Sequence, residues 1–260
     1  MNIQGKVALV TGSGGLGSGR AEALRLAREG ASVVVSDIHE AGGLETVHMI
    51  RADGGRAAFC RADMASDAAV SALVDYAVST FGGVDILVNN ASAPYRPTEP
   101  LDWWFQPVAV DLLGAMSAIR YCIPIMRSRG GGAIVNIGST SALGHGRKHS
   151  GSPTYDVAKA AVTRLTTTLG WLGEKDNIRV NCLVPDWVAV PEVLEYWNAL
   201  SPAQRRQQDV PEVLTTLDEV CDAVVELITA DHLAGRVMVW WSGRPRQLIV
   251  AGDPGYAGLE

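Results

Sequence analysis

The chain of 260 residues is long enough for one α/β domain with a large core and short for two domains. Hydrophobic residues make up 47% and charged residues 19%, which excludes a largely disordered protein. A net charge of −6 and a pI near 5.4 argue against general binding to nucleic acid or to anionic membranes.

Short apolar runs alternate along the chain with longer amphipathic segments. The apolar runs are often β-branched and are typical of strands buried on both faces of a parallel sheet; they lie at 7–10, 33–35, 86–88, 133–137, 180–184 and 237–241. The amphipathic segments predict helices at about 17–29, 40–53, 66–81, 101–128, 154–174 and 217–230. The alternation predicts an α/β fold: one Rossmann-like domain over 1–260, with a doubly wound, mostly parallel sheet in a three-layer α/β/α sandwich.

The start of the chain and its cysteines indicate where the protein works. Residues 1–10 have no charged region followed by an apolar one, so we expect no signal peptide, and we see no apolar run long enough to span a bilayer. The cysteines are widely spaced and are typical of buried thiols in a reducing compartment: Cys60, Cys122, Cys182 and Cys221. We therefore expect a cytoplasmic protein without a metal site.

One segment interrupts the alternation. The stretch 185–215 carries several prolines and aromatic residues, and it is too long for a turn and too apolar for a disordered linker. It follows the C-terminal end of a predicted strand, where ligands of open α/β sheets bind. We predict a substrate lid over about 186–215, with Trp187, Tyr196 and Trp197 as candidate pocket walls; the alternative is a packed surface excursion without function.

A glycine-rich stretch lies between the first predicted strand and the first predicted helix. Glycines allow a sharp turn and close approach to a pyrophosphate, and a helix N-terminus offers free N–H groups and partial positive charge. This position favours a dinucleotide site over a simple tight turn. The candidate cofactor-binding residues here are Gly12, Ser13, Gly17 and Gly19.

Acidic and amide residues follow the next strands. Asp37 ends the second strand at the spacing expected of the acid that binds the adenosine ribose, and a carboxylate there repels a 2′-phosphate. No Arg or Lys lies immediately beside Asp37 or inside the glycine loop, so NAD is predicted over NADP. Asp63 ends the third predicted strand, where its carboxylate or its backbone can meet the adenine, and Asn89-Asn90-Ala91 ends the fourth, where amide side chains can tie adjacent strands and border the cofactor. Simple caps or strand-end turns are the alternatives.

Three further residues predict a proton-transfer site. Tyr155 and Lys159 are four residues apart on a predicted helix and therefore share one face. A free phenol, with a pKa of about 10, is a poor base near neutral pH, and a neighbouring ammonium favours the phenolate. This spacing alone usually marks a solvated helix face, but Ser139 adds a hydroxyl from the carboxyl edge of the predicted sheet.

Taken together, these motifs resemble the short-chain dehydrogenase/reductase family over almost the whole chain. The matching residues are the glycine loop with Thr11, then Asp37, Asp63, Asn89-Asn90-Ala91, Ser139, Tyr155, Lys159, and 178–181 leading to Pro185. The resemblance implies an NAD-dependent interconversion of an alcohol and a carbonyl on a small molecule. It implies that Ser139 polarises the substrate oxygen, that Tyr155 is the general acid or base, and that Lys159 binds the nicotinamide ribose. It also implies a homo-oligomer, commonly a homotetramer, formed through the two long helices.

The chain departs from the family pattern at four places. Four residues separate Gly12 from Gly17 where the family has three, so we expect the loop to bulge. Ser92 replaces a glycine, and Asp111 replaces the helix asparagine that supports a proton-relay water. Asp186 replaces the glycine after the sixth strand. We expect Asp111 to hold a water with an altered proton chain, and Asp186 either to favour the oxidised nicotinamide or to crowd it.

The extra residues before Tyr155 form a basic stretch. The simpler interpretation is a solvated surface loop, and the more specific hypothesis is that the stretch recognises an anionic substrate. Its basic residues are His145, Arg147, Lys148 and His149. The two histidines lack a third ligand at metal spacing, so we predict no metal.

Two other functions fit the same scaffold. One is a non-redox enzyme of the dehalogenase or lyase type, against which Asp37 and Lys159 argue. The other is a non-catalytic protein that senses a dinucleotide, which the substitutions at positions 111 and 186 leave open because a fold does not guarantee activity.

Overall fold

The computed structural model describes residues 1–94, 103–143 and 152–250. In this part of the chain the strands form one eight-stranded sheet with the order β3-β2-β1-β4-β5-β6-β7-β8. They are β1 (Val7–Thr11), β2 (Ser32–Asp37), β3 (Arg56–Arg61), β4 (Ile86–Asn89), β5 (Gly132–Ile137), β6 (Ile178–Pro185), β7 (Val237–Trp240) and β8 (Gln247–Leu248). All neighbours pair in parallel except β7 and β8, which are antiparallel.

Helices connect the strands and cover both faces of the sheet. They are α1 (Ser18–Arg28), α2 (Glu40–Ala52), α3 (Asp67–Phe81), α4 (Phe105–Ser128), α5 (Pro153–Thr168), α6 (Leu172–Asp176), α7 (Pro191–Ala199), α8 (Pro202–Gln207) and α9 (Leu217–Thr229). The strand order reverses at β1, between β2 and β4. In such sheets the crevice at the carboxyl ends of the strands beside the reversal is where ligands bind.

The core has two halves, one on each side of the sheet. In β1, Ala8 and Val10 belong to one buried cluster, with α1, α2 and α9, whereas Leu9 belongs to the other, with α3 and α4. This burial on both faces explains the uninterrupted apolar runs in the sequence. The predicted fold class, a doubly wound sheet in a three-layer α/β/α sandwich, is confirmed.

The edge strand β3 differs from the prediction. Its ends, Arg56 and Arg61, are exposed, so it has no continuous apolar run. The strand ends at Arg61, and Asp63 therefore lies in the following loop rather than at the strand end. There the Asp63 carboxylate accepts the Ala65 N–H at 2.9 Å and stabilises a turn before α3.

The predicted helix 154–174 is two helices, α5 and α6. The break lies at Gly170, where a Cβ atom would come within 3.1 Å of the Cα of Gly235. Close contact between these two backbones therefore requires glycine at the break.

Helix α4 is more apolar than its sequence pattern led us to expect. Its 24 residues include a window of mean hydropathy 1.5, enough by length and composition to cross a membrane. Ala118, Cys122 and Met126 are nevertheless buried in the core cluster against the sheet, as in the core helix of a three-layer fold.

Candidate active site

The glycine loop leaves β1 at the carboxyl edge of the sheet and is tightly packed beneath. Gly12 has a φ of +66°, and a Cβ atom there would lie 2.6 Å from the Cα of Ala91. Any side chain at Gly19 would overlap the carbonyl oxygen of Gly12. These two positions therefore need glycine, as the motif predicts.

The additional loop residue is accommodated on the side of β2. Ser13 is buried; its hydroxyl donates to the Val10 carbonyl at 2.8 Å and its N–H donates to the Ser36 carbonyl at 3.1 Å. The N–H of Gly14 then donates to Asp37 Oδ2 at 2.8 Å. The longer loop thus folds toward β2 and is held there by hydrogen bonds.

Two residues that the sequence analysis did not single out hold the carbonyl groups of this loop. Arg20 Nη2 donates to the Gly14 carbonyl at 2.9 Å and to Glu45 at 2.8 Å, and the Thr46 hydroxyl donates to the Ser13 carbonyl at 2.8 Å. Arg20 is only 8% exposed. The position of Arg20 directly after Gly19 is the feature of the sequence that could have indicated this role. An arginine in an amphipathic helix is, however, ordinarily assigned to the solvent face.

The space above the loop fits a pyrophosphate. Helix α1 begins after Gly17 with no acidic residue in its first turn and no side chain capping its N–H groups. A Cβ atom built on Gly17 would meet nothing nearer than Val190 at 3.7 Å, so the loop is open above its backbone. Free N–H groups and the positive end of the helix dipole are therefore available to an anion.

Asp37 is fixed by backbone N–H groups. Its Oδ2 accepts from Gly14 at 2.8 Å and its Oδ1 from His39 at 2.9 Å. Arg61 stands opposite Asp37 in the register of β2 and β3, and Arg61 Nε donates to the Ile38 carbonyl at 3.1 Å. This cation could not be predicted from the sequence because Arg61 is remote from Asp37 along the chain.

The residues after β4 connect the glycine loop to the neighbouring strands. Asn89 Nδ2 donates to Asn136 on β5 at 2.8 Å, so this amide joins two strands. Asn90 Nδ2 donates to the carbonyl of Thr11 at 3.1 Å, and the Ala91 N–H donates to the Thr11 hydroxyl at 3.1 Å. Asn90 thus supports the loop and Ala91 packs beneath Gly12, whereas Asn89 joins β4 to β5.

Helix α5 carries the tyrosine and lysine. Ser152 caps the helix by accepting the Tyr155 N–H at 3.3 Å, and Pro153 occupies the first turn. Lys159 is buried, its Nζ donates to the Ile137 carbonyl at 3.0 Å, and it lies 5.5 Å from the centre of the Tyr155 ring. The predicted pair is therefore brought together beside the end of β5.

A carboxylate lies directly against this lysine. Asp111 Oδ2 is 3.2 Å from Lys159 Nζ, and the two side chains are 0% and 4% exposed. Asp111 sits in a π-helical turn of α4, Val108–Gly114, a widened turn often found at functional sites. Burial by itself would lower the pKa of Lys159, but the Asp111 carboxylate and the Tyr155 phenol outweigh it and hold that pKa above its ordinary value. Asp111 therefore forms a direct ion pair with Lys159.

Ser139 and Asp186 follow the carboxyl ends of the neighbouring strands β5 and β6. Ser139 is half-buried and accepts the Ser141 N–H at 3.3 Å. Asp186, after the buried Pro185, accepts the Thr140 hydroxyl at 2.8 Å and the Ser242 N–H at 3.1 Å. One carboxylate oxygen thus holds the segment that carries Ser139, and the other holds the segment that follows β7. The basic stretch 145–149 lies outside the described residues.

The stretch 186–215 contains α7 and α8, and the contacts of its aromatic residues are with other residues of the same stretch. The Trp187 and Tyr196 rings stack with centroids 6.0 Å apart. Trp197 Nε1 donates to the Pro211 carbonyl at 2.8 Å, and the Arg205 guanidinium lies 3.3 Å from the Trp197 ring centre. These contacts make the stretch an ordered excursion whose start, at Val190, lies beside the glycine loop.

Together, a glycine loop on a helix N-terminus, an acid at the end of β2 and a buried lysine beside a tyrosine define a dinucleotide-binding protein of the Rossmann class. Residues 6–199 match the family model for short chain dehydrogenases. The chain is 36% identical over 234 residues to cyclohexanol dehydrogenase of an Acinetobacter strain, covering 87% of this chain and 88% of that protein. It is 32% identical over 240 residues to cis-4-hydroxycyclohexanecarboxylate dehydrogenase of Sinomonas cyclohexanicum, covering 90% and 94%.

The fold agrees with these sequence matches. The crystal structure of a candidate short-chain dehydrogenase/reductase from Burkholderia xenovorans superposes with a TM-score of 0.81 at 31% identity, over 93% of this chain and 97% of that one. The chain belongs to the short-chain dehydrogenase/reductase family, as the motifs predicted. It is accordingly an oxidoreductase of a family that binds nicotinamide dinucleotides and acts on small molecules.

Proposed function

We propose that this chain is an NAD-dependent dehydrogenase that interconverts a secondary alcohol and the corresponding ketone. The observation that supports this most directly is the buried ammonium of Lys159, 5.5 Å from the Tyr155 ring at the carboxyl edge of the sheet. A cation beside a phenol favours the phenolate, the form that can remove a proton from an alcohol.

Each proposed role follows from the position of the residue. Backbone N–H groups of the glycine loop and α1 would hold the pyrophosphate, and Asp37 the adenosine ribose. The bound nicotinamide supplies the hydride acceptor or donor. Tyr155 takes the hydroxyl proton in oxidation and returns it in reduction, while Ser139 donates a hydrogen bond to the substrate oxygen. Lys159 holds the nicotinamide ribose and places a positive charge beside the Tyr155 phenol.

We propose a cyclic secondary alcohol as the substrate class. Two relatives that align over most of this chain act, by their names, on hydroxyl groups of a cyclohexane ring. The test is NADH binding by fluorescence, followed by an absorbance screen of cyclic, acyclic and hydroxy-acid substrates. Turnover of ring alcohols above acyclic ones supports the proposal. NADH binding without turnover favours the non-catalytic sensor, and failure to bind NADH favours a non-redox enzyme.

The preference for NAD depends on Asp37. The carboxylate of Asp37 would repel a 2′-phosphate, and Asn keeps a hydrogen-bond acceptor for the loop while removing the charge. We expect Asp37→Asn to lower the ratio of kcat/KM for NAD to that for NADP by about 10- to 100-fold, that is, by about 1.4–2.7 kcal/mol. Steady-state kinetics with both dinucleotides measures the ratio.

The matched control for this experiment is Asp63→Asn. This residue also follows a strand on the adenosine side, but its carboxylate forms a turn with Ala65. Asp63→Asn is expected to leave the NAD to NADP ratio unchanged. An unchanged ratio in Asp37→Asn would contradict the proposed NAD preference.

We further propose a cytoplasmic homo-oligomer, a dimer or a homotetramer, with 1–260 forming one domain. The four cysteines are free thiols, as in a reducing compartment. Apolar side chains on α4 and α5 are solvent-exposed: Leu113 (52%), Met116 (44%) and Val157 (60%). Exposed apolar side chains on neighbouring helices are typical of an interface with a second copy.

The oligomer is tested by replacing two of these residues. We expect Met116→Glu/Val157→Glu to shift the molar mass from light scattering toward that of the 27.6 kDa monomer, because buried charges without partners oppose association. Leu44→Glu, at a residue 52% exposed on α2, is the control and should keep the parent mass. A parent that is already monomeric refutes the proposal.

A further inference from the structure

Two departures from the family pattern, the exposed Ser92 and the buried Asp111, belong to one hydrogen-bonded network. The Ser92 hydroxyl donates to Asp111 Oδ2 at 2.6 Å, and the Ala93 N–H donates to Asp111 Oδ1 at 2.8 Å. The same Oδ2 is 3.2 Å from Lys159 Nζ. A glycine at position 92 would remove one donor to the carboxylate. Ser92 and Asp111 therefore act as a unit that stabilises a charged carboxylate against the lysine.

Few charged groups among the described residues face Lys159. Facing it are the Asp111 carboxylate from α4, the Tyr155 phenol from α5, the Cys182 thiol from β6 and the Ile137 carbonyl from β5. Of these groups only Asp111 is a carboxylate. Burial raises the pKa of Cys182 to about 11, so that thiol is neutral near pH 7. The ammonium of Lys159 is thus half of an ion pair.

An ion pair attracts a third charge less than a lone cation does. In the family pattern an uncharged asparagine stands at the position of Asp111, and the ammonium acts on the phenol without a counter-charge. Here a carboxylate at 3.2 Å offsets the positive potential that Lys159 exerts on Tyr155. The positive potential at Tyr155 is therefore smaller than a lone ammonium would produce.

We propose that Asp111, supported by Ser92, is a positioning residue that offsets the charge of Lys159 and so moves proton transfer by Tyr155 to higher pH. This inference rests on the proposed function, because it assigns a regulator to the same site. A purely structural Asp111 would hold the loop at Ala93 and leave the pH dependence unchanged. The two roles therefore differ in a measurable property.

The test is the pH profile of kcat/KM for alcohol oxidation in Asp111→Asn and in Ser92→Gly/Asp111→Asn, which restores both family residues. We expect the acidic limb of both profiles to move down by about one to two pH units relative to the parent. An acidic limb that stays in place or moves up overturns the proposal. If Asp111→Asn alone folds poorly, Ser92→Gly/Asp111→Asn still tests the proposal, because it carries the family residue at both positions.

The matched control is Asp85→Asn. Asp85 is also a buried aspartate in an ion pair, with Arg129 at 2.8 Å, but it precedes β4 at the opposite edge of the sheet. Its replacement is expected to reduce stability and to leave the acidic limb in place. If Asp85→Asn moved the acidic limb of the pH profile as far as Asp111→Asn does, the movement would reflect loss of stability rather than a change at Tyr155. That result would overturn the proposal.

A second readout needs neither cofactor nor turnover. Ultraviolet titration of tyrosinate absorbance, taken as the difference between each protein and its Tyr155→Phe counterpart, isolates the phenol of Tyr155. In Asp111→Asn this step should come at lower pH than in the parent. If the titration moves as expected and no alcohol is oxidised, the proposed function fails while the inference stands. If the titration does not move, the inference fails regardless of activity.

Discussion

Replacing Tyr155 by Phe is expected to lower kcat for alcohol oxidation by about 10²- to 10⁴-fold, the usual contribution of a general base. Phe keeps the ring on α5 and removes only the hydroxyl that takes the proton. Lys159 keeps its hydrogen bond to the Ile137 carbonyl and its ion pair with Asp111, so the cofactor site stays formed. Stopped-flow or steady-state absorbance at saturating NAD measures the loss.

The affinity for NADH, measured by fluorescence, should stay within about threefold of the parent value, since binding and proton transfer use different groups. Tyr76→Phe, on α3 at the margin of the second core cluster, removes a hydroxyl of the same kind away from the site. It should keep the parent kcat. Comparable activity in Tyr155→Phe and Tyr76→Phe would remove Tyr155 from the reaction.

The parts of the site that the sequence predicted are those carried by short-range spacing. The glycine loop between β1 and α1 and the Tyr155–Lys159 pair on α5 depend on residues close together in the chain, whose geometry follows from helix period and glycine sterics. The alternation of apolar runs likewise predicted the three-layer arrangement, because strands without a polar side must be covered by helices on both faces of the sheet.

Long-range pairings were beyond the reach of the sequence. Asp111 and Lys159 belong to different helices, and only the packing of α4 against α5 brings their charges to 3.2 Å. The sequence showed that Asp111 was unusual but not which group it faces. The same holds for Arg61, which reaches the side of Asp37 only through the register of the edge strand. A pattern along one element carries no information about its neighbours.

A buried carboxylate on α1 was also invisible to pattern analysis. Glu22 is 1% exposed, and neither of its oxygens has a hydrogen-bond partner among the described residues. The nearby Arg25 is engaged by Glu29 at 2.8 Å and Asp222 at 2.6 Å, and the thiol of Cys221 is the titratable group facing Glu22 from α9. Burial therefore raises the pKa of Glu22 from 4.5 to about 8.

Replacing Glu22 by Gln is expected to stabilise the protein increasingly as the pH rises. Because the folded-state pKa of Glu22 lies above 4.5, the unfolded value, the folded chain binds the extra proton between about pH 4.5 and 8. With respect to this group, the free energy of unfolding of the parent protein is therefore highest below pH 4.5. It falls as the pH rises through about 8, because the buried carboxyl must then lose its proton. Gln stays neutral, so the gain over the parent grows from near zero at about pH 4.5 to about 2–4 kcal/mol at about pH 8. Urea unfolding across this range measures it.

The comparison needs an exposed control and an apolar variant. Glu195→Gln, at an exposed position on α7, removes the same charge where water solvates it and should shift stability by no more than about 0.5 kcal/mol at any pH. Glu22→Leu should match Glu22→Gln in pH dependence and exceed it in stability, because it also removes a buried polar group without a partner. If the gain of Glu22→Gln is the same at pH 5 and pH 8, the carboxylate is already solvated or paired in the folded chain, and the assignment of a protonated Glu22 between α1 and α9 is wrong.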